Sequence, residues 1–109
     1  MKNRGRRAYF TRKLPSLNQH AVAEIADSVS YLTEGNEGYG SQSSVIRKRL
    51  AAFDPQQDVI VPTGPSWINV LLGLELARMY PGQLIRFGVY SRRRDQYSLV
   101  QRVMEDVAA

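Results

Sequence analysis

The segment Asp58–Thr63 reads Asp-Val-Ile-Val-Pro-Thr, and its apolar core does not alternate with polar residues. A strand of this kind is buried on both faces, which is typical of the centre of a parallel sheet. The turn at 63–66 (Thr-Gly-Pro-Ser) follows, and Pro and Ser suit the first positions of a helix. The next segment, 66–80, is apolar nearly all round. It predicts a helix that is buried on more than one side or that packs against a partner.

Segments typical of strands and helices alternate along the rest of the chain. Aromatic and β-branched residues predict strands at 8–11, 29–33 and 84–90, and apolar residues at helical spacing predict helices at 17–28 and from Ser43 or Ser44 to Phe53. Ser16 and Gln19 form a capping box at the start of the first helix. Residues 34–44 contain three glycines and predict a flexible loop.

The segment after residue 91 has two interpretations. The polar run 91–95 can form a hairpin turn that leads into a strand from 96 to about 103, and the flanking Tyr90 and Tyr97 favour this hairpin. Alternatively, Asp95 caps a helix with Val100, Val103, Met104 and Val107 on one face.

This alternation predicts an α/β fold, a three-layer sandwich with a mainly parallel four- or five-stranded sheet of the Rossmann-like or flavodoxin-like kind. A length of 109 residues fits one domain. We expect that domain to span residues 8–109, after a basic and flexible arm at 1–7.

A ligand site is predicted where the strands end, because ligands of open α/β sheets bind beyond the carboxyl ends of the strands. These ends gather hydroxyls, a glycine, a cation and the start of a helix, and helix N-termini attract phosphate. The predicted ligand-binding residues are Thr11, Lys13, Thr63, Gly64, Ser66 and Ser91.

Basic residues are clustered rather than spread along the chain. The chain has 15 Lys and Arg against 10 Asp and Glu, and residues 1–13 hold six cations with no acid. Aromatic residues lie near the clusters, and cations with aromatic rings suit a nucleic-acid strand. The predicted nucleic-acid-binding residues are Lys2, Arg4, Arg6, Arg7, Arg12, Lys13, Arg47, Lys48, Arg49, Arg92, Arg93 and Arg94.

Signals for catalysis, metal binding and membrane insertion are absent from the sequence. The chain has no Cys, which excludes disulfides and thiolate zinc sites, and His20 is its one histidine. No catalytic motif is present and no metal-ligating residues are grouped. We therefore expect a non-catalytic protein with no cofactor and no metal. The apolar run at 67–80 is too short and too polar to span a bilayer, so we expect a cytoplasmic protein.

Four segments carry a resemblance to known proteins. These are 9–15 (Tyr-Phe-Thr-Arg-Lys-Leu-Pro), 50–55 (Leu-Ala-Ala-Phe-Asp-Pro), 58–64 (Asp-Val-Ile-Val-Pro-Thr-Gly) and 90–95 (Tyr-Ser-Arg-Arg-Arg-Asp). Together they resemble small α/β proteins encoded by bacteriophages, a group without an assigned activity. The strand followed by Thr-Gly also resembles the nucleotide-sensing domains of CRISPR-associated proteins. The chain departs from those domains at Pro65 and Ser66.

Three functional hypotheses follow. The first is a nucleic-acid-binding accessory protein, phage-encoded if the resemblance holds and then located in the host cytoplasm. The second is a module that binds a nucleotide or a cyclic oligonucleotide, as a sensor or a sponge. The third is a structural protein that forms a homodimer or binds a partner through the helix at 66–80.

Overall fold

Five strands form one sheet in the computed structural model, which describes residues 4–15 and 18–104. The elements in chain order are β1 (Arg7–Arg12), α1 (Gln19–Ala23), β2 (Ser28–Thr33), α2 (Gln42–Leu50), β3 (Val59–Val61), α3 (Ser66–Met79), β4 (Leu84–Ser91) and β5 (Gln96–Val103). The strand order is β2-β1-β3-β4-β5. Strands β1 to β4 are parallel to one another, and β5 is antiparallel to β4. The prediction of an α/β fold with a mainly parallel sheet is confirmed.

Helices cover both faces of the sheet. The chain moves one way across the sheet from β1 to β2 and the other way from β2 to β3 and β4. Right-handed crossovers then require α1 on one face and both α2 and α3 on the other. Two separate apolar clusters agree, since Val22 of α1 packs with Phe10, whereas Leu50 of α2 and Leu76 of α3 pack with Tyr9. The arrangement is compatible with a three-layer sandwich.

The centre of the sheet is buried on both sides, as the apolar run of β3 predicts. All three residues of β3 are buried, and so are Ala8, Tyr9 and Phe10 of β1. Tyr9 meets Phe53 edge-on at 5.5 Å between ring centroids, and Phe53 meets Tyr80 in the same way. Strands β1 and β3, which pair with each other in parallel, therefore form the buried centre of the sheet.

The first helix is shorter than the sequence predicts. The predicted helix 17–28 is wrong beyond Ala23, because the Asp27 and Ser28 amides donate to the carbonyl of Arg6 and so start β2 beside β1. The N-cap residue is Asn18, whose side chain accepts from the Ala21 amide. Ser16 of the predicted capping box lies outside the described residues.

One further boundary differs from the sequence prediction, and the structure decides between the two interpretations of the segment after residue 91. Helix α2 begins at Gln42, inside the predicted loop 34–44, with Ser41 at the N-cap position. The segment after residue 91 is a hairpin, so the alternative helix capped by Asp95 is wrong. Asp95 sits in the turn with a φ of 52° and accepts hydrogen bonds from Tyr90 and Asn18. The Asn18 contact links the hairpin turn to the start of α1, and the Tyr90 contact lies within the hairpin.

Helix α3 buries one side and exposes the other. Ile68, Leu72 and Leu76 face the core, whereas Trp67, Val70 and Leu74 are more than half exposed. Homodimerisation through this helix stays a prediction. Among the described residues, no helix has the length and apolar character needed to cross a membrane.

Candidate functional site at the carboxyl end of the sheet

Strands β1 to β4 run in the same direction, so their carboxyl ends meet at one end of the sheet, called here the carboxyl end. The connection from β1 leads to one side of the sheet and the connection from β3 leads to the other. Such a switch point leaves a crevice between the two strand ends, which is where open α/β sheets bind ligands. The loops that follow β1 and β3 border this crevice.

Two threonine side chains link the ends of β1 and β3 by hydrogen bonds. The Thr11 hydroxyl donates to Asn69 Oδ1 at 2.7 Å and accepts from the Thr63 amide at 3.3 Å. The Thr63 hydroxyl donates to the Arg12 carbonyl at 2.8 Å and accepts from the Arg12 amide at 3.0 Å. Both hydroxyls are therefore occupied within the protein. They position the backbone of Arg12, and the direct ligand contact that the sequence predicts for them stays a prediction.

The Arg12 side chain passes between two glycines. A Cβ atom on Gly35 would lie 2.7 Å from Arg12 Nε, and one on Gly64 would lie 3.0 Å from Arg12 Cβ and Cδ. Both glycines have positive φ, 102° and 80°, which other residues rarely adopt. The guanidinium makes no ion pair with a carboxylate of the described chain. A positive charge is thus held in the crevice without a carboxylate of the described residues in ion-pair contact with it.

The glycine-rich loop that carries Gly35 is shaped by Glu37. Its carboxylate accepts from the amides of Glu34 at 2.8 Å and Gly35 at 3.0 Å. Desolvation of the Glu37 carboxyl raises its pKa, but these amides outweigh that effect and the net pKa is lowered. The carboxylate consequently stays ionised and holds the loop beside Arg12.

A cavity of about 360 Å³ opens between this loop and the start of α3. It is lined by Arg12, Gly35, Tyr39, Gln42, Pro65, Trp67 and Ile68. Pro65 occupies the N-cap position of α3, no side chain caps the helix, and no acid lies in its first turn. The first amides and the positive end of the helix dipole are consequently open to an anion.

Two further cavities adjoin it at the same end of the sheet. One of about 520 Å³ is lined by Arg12, Lys13, Leu14, Pro15, Glu34 and Gly64. The other, of about 410 Å³, is lined by Leu14, Asn18, Val61, Pro62, Thr63, Gly64, Tyr90 and Tyr97. Lys13 places its ammonium 5.9 Å from the centre of the Tyr31 ring. The carboxyl end therefore forms a continuous series of clefts around Arg12 and Gly64.

The predicted ligand-binding residues divide into three groups. Lys13, Thr63 and Gly64 line clefts, and the Thr11 and Thr63 side chains also link the ends of β1 and β3 by hydrogen bonds. Ser66 and Ser91 lie at the start of α3 and the end of β4, and they line none of these three cavities. No group of three or more His, Asp or Glu side chains in the described ranges is placed to hold a metal ion.

Arg4, Arg6 and Arg7 of the first basic cluster lie at the opposite, amino end of the sheet, whereas Arg12 and Lys13 lie at the carboxyl end. Arg4 donates to both carboxylate oxygens of Asp58, at 2.9 and 2.5 Å. Arg6 Nε donates to the Gln57 carbonyl at 2.8 Å, and Arg7 Nη1 donates to the Tyr9 hydroxyl at 3.1 Å. Residues 4–7 of the predicted arm therefore lie against the domain body. Lys2 and the rest of that arm lie outside the described residues.

The other two clusters lie in different places again. Arg47 donates to Glu75 at 2.9 Å, Arg49 donates to the Tyr31 carbonyl at 3.0 Å, and Lys48 is exposed on the same helix. Residues 92–94 form the exposed turn between β4 and β5, at the carboxyl end. The predicted nucleic-acid-binding residues thus occupy both ends of the sheet and one helix, and several are paired within the protein.

Two residues that line the 360 Å³ cavity, Gln42 and Trp67, are not among the site residues that the sequence predicts. These residue types are common in loops and cores, and whether the residues come together depends on how α2 and α3 pack.

Comparison with protein-family models, with curated proteins and with solved structures gives no match for this chain.

Proposed function

We propose that this protein is a non-catalytic nucleotide-binding module, whose ligand places its phosphates in the crevice between β1 and β3. The observation that carries the proposal is Arg12, an unpaired cation held between Gly35 and Gly64 beside the open start of α3. Arg binds phosphate through two parallel hydrogen bonds, and helix N-termini add backbone donors. Exposed aromatic rings on the same cavity suit the base.

We further propose that the sheet belongs to the Rossmann-like or flavodoxin-like kind of doubly wound folds. The order β2-β1-β3-β4 and the switch point between β1 and β3 support this assignment, and the antiparallel β5 is the departure from it. A cytoplasmic and phage-encoded sensor or sponge would be one setting for such a module. A cyclic oligonucleotide would meet the same phosphate-binding groups.

The distribution of charge supports a nucleotide over a long nucleic acid. A nucleic-acid strand requires cations along one surface, whereas Arg4 and Arg47 are each paired with a buried carboxylate. The exposed arginines at 92–94 remain the best support for a nucleic-acid-binding accessory protein. That hypothesis therefore belongs in the same experiment as an alternative outcome.

The experiment is a thermal-shift screen with nucleoside mono- and triphosphates, cyclic dinucleotides, and short single-stranded DNA and RNA. A nucleotide at 100 times its Kd should stabilise the protein by about 2.7 kcal/mol. Arg12→Ala should abolish that shift, because it removes the phosphate-binding cation. Arg92→Ala is the matched control, since it removes an exposed arginine at the same end of the sheet and should leave the shift unchanged.

Two results would overturn the proposal. One is that no nucleotide raises the melting temperature, or that the rise persists in Arg12→Ala. The other is that only the oligonucleotides bind, that their affinity falls steeply with salt, and that Arg92→Ala weakens them. The second result would favour the nucleic-acid-binding accessory protein.

A further inference from the structure

We infer that the protein forms a homodimer in which β5 pairs antiparallel with β5 of a second copy, about a two-fold axis at Val100. Strand β5 is an edge of the sheet, because it pairs with β4 alone, and six of its eight residues are exposed. An edge strand presents backbone N–H and C=O groups that can pair with another strand. The dimer would join two five-stranded sheets into one continuous sheet.

The hydrogen bonds at the end of the hairpin show which residues of β5 face outward. The Met104 amide donates to the Gln83 carbonyl at 2.9 Å, and the next pair along the ladder is Leu84 with Val103. Bonded and non-bonded pairs alternate in an antiparallel ladder, so Val100 directs its backbone groups towards β4. The residues that direct their backbone groups to the free edge are therefore Tyr97, Leu99, Gln101 and Val103.

This edge lacks the features that protect edge strands in other proteins, which include Pro, Lys, bulges and a covering helix. Strand β5 reads Gln-Tyr-Ser-Leu-Val-Gln-Arg-Val, and its register with β4 is unbroken. Arg102 Nη1 donates to the adjacent Gln101 carbonyl at 2.7 Å, a local bond that an incoming amide can replace. At the other edge of the sheet, Arg49 of α2 donates to the Tyr31 carbonyl of β2 at 3.0 Å.

An apolar patch lies beside this edge. Tyr97 packs against the apolar cluster that contains Val22 of α1, so alternate residues of β5 and their partners on β4 share the face that carries α1. Helix α1 has only five residues. It leaves four side chains of that face at least 40% exposed, namely Leu84, Tyr90, Leu99 and Val103. Grouped apolar side chains of this kind mark interaction surfaces.

A second copy fits this edge because β5 is self-complementary about Val100. A two-fold axis there pairs Leu99 with Gln101 of the second copy, and it pairs Tyr97 with Val103 in the same way. All four of these residues have outward backbone groups. Val100 lies opposite Val100 of the second copy in a non-bonded pair, which agrees with its backbone bonds to β4. The Leu99 side chains of the two copies become diagonal neighbours on one face.

The charges near β5 also favour antiparallel pairing with a second copy. Arg102 lies opposite Ser98 of the second copy, which keeps the two Arg102 residues about 14 Å apart, beyond the screening length of about 8 Å at physiological salt. Antiparallel pairing brings the start of one β5 beside the end of the other. Three arginines at 92–94 precede β5 in the sequence, and two acids, Glu105 and Asp106, follow it. This order of charges is complementary in an antiparallel pair and repulsive in a parallel one.

Sedimentation equilibrium tests the dimer and its surface. The wild type should have the mass of two chains at high concentration and should dissociate on dilution. Leu99→Lys places a charge beside the two-fold axis, so it should raise the dissociation constant of the dimer by about tenfold or more. Leu74→Lys is the matched control, because Leu74 is 58% exposed on α3, and it should leave the dissociation constant unchanged.

Introduced cysteines test the register, because the chain has no Cys of its own. Val100→Cys places two thiols on facing residues whose Cα atoms lie about 4.5 Å apart, a distance that a disulfide spans. Ser98→Cys is the matched control, since Ser98 is on the same face and lies about 14 Å from Ser98 of the second copy. Under mild oxidation, Val100→Cys should form a covalent dimer on a non-reducing gel and Ser98→Cys should stay monomeric.

Three results would overturn the inference. The first is a wild-type monomer at every concentration up to about 1 mM. The second is a dimer that Leu74→Lys disrupts and Leu99→Lys does not, which would assign the interface to α3. The third is a disulfide in Ser98→Cys and none in Val100→Cys, which would exclude the axis at Val100. The two cysteine variants keep the inference testable even if Leu99→Lys does not fold.

Discussion

The two ends of the sheet both carry arginines, but the two sets lie in opposite electrostatic surroundings. At the amino end, Arg4 meets Asp58, a carboxylate with no solvent-exposed surface. Asp58 also accepts from the amides of Arg7 at 3.0 Å and Asp54 at 2.8 Å. At the carboxyl end, Arg12 lies between two glycines with no ion-pair partner in the described residues.

This difference teaches that a count of cations does not locate a binding surface. Arg4 and Arg12 belong to one basic stretch in the sequence, yet of these two Arg4 has a carboxylate as its ion-pair partner and Arg12 has none in the described residues. The deciding feature is the buried acid, because a carboxylate removed from water requires a partner to stay ionised. The ion pair with Asp58 holds the charge of Arg4 within the protein, and the ion pair with Glu75 does the same for Arg47.

The largest expected effect tests the structural role of the amino end. Asp58→Ala removes the acceptor of Arg4 and of two backbone amides, and a buried donor left without its acceptor typically costs about 1–3 kcal/mol of unfolding free energy. Arg12→Ala should cost about 1 kcal/mol or less, because it breaks no ion pair. Urea unfolding of both variants measures this contrast. Equal losses of unfolding free energy in the two variants would contradict the difference between a paired arginine at the amino end and an unpaired one at the carboxyl end.

A second prediction uses pH to separate the two ends. Burial alone raises the pKa of Asp58, but the hydrogen bonds from Arg4 and from the Asp54 and Arg7 amides outweigh it, and the net pKa is lowered. The unfolded chain then binds a proton more readily than the folded protein. The stability that Asp58 contributes is therefore present above the unfolded pKa of about 4 and is lost as the pH falls through the folded value.

Urea unfolding at a series of pH values between neutrality and acid checks this sign. Asp58→Asn should show a shallower loss in the acid range than the wild type. Some dependence should remain, because the pKa of Glu75 is also lowered, mainly by its hydrogen bond from Arg47. Arg12→Ala should follow the wild-type profile. An Asp58→Asn profile identical to the wild type would contradict the assignment.

Local patterns in the sequence were enough to predict the elements that build the sheet. The apolar run of β3 and the helix after it were predicted within a residue or two, because consecutive apolar residues and a Pro-Ser start are local signals. The parallel arrangement then predicted that the strand ends after β1 and β3 would meet. This edge of the candidate site was therefore accessible from the sequence.

Features that depend on distant contacts were not predicted. The early end of α1 depends on the Arg6 carbonyl, and the pairing of Arg4 depends on Asp58, which lies 54 residues away. The cavity requires Gln42 and Trp67 from two helices whose packing the helical periodicity of each does not specify. The sequence also could not distinguish Thr11 as a side chain that fastens strands from one that meets a ligand.

The smallest expected effect on stability offers the sharpest test of the carboxyl end, through two glycines with nearly the same backbone. Gly64 has a φ of 80° and Gly82 a φ of 75°. A Cβ on Gly82 would meet no atom within 4 Å, so Gly82→Ala should cost only the backbone strain, about 1 kcal/mol. Gly64→Ala carries the same strain and also forces a contact of 3.0 Å with the Arg12 side chain.

Gly64→Ala should therefore unfold at a somewhat lower urea concentration than Gly82→Ala, and the two variants should differ more clearly in ligand binding. Gly64→Ala pushes the Arg12 side chain out of its position between the two glycines, so it should reduce the nucleotide-induced thermal shift, whereas Gly82→Ala should keep it. Measuring both in one screen cancels the shared loss of stability. A full shift in Gly64→Ala would mean that the position of Arg12 between the two glycines does not matter for the ligand, and the contrast between the two ends of the sheet would then rest on charge alone.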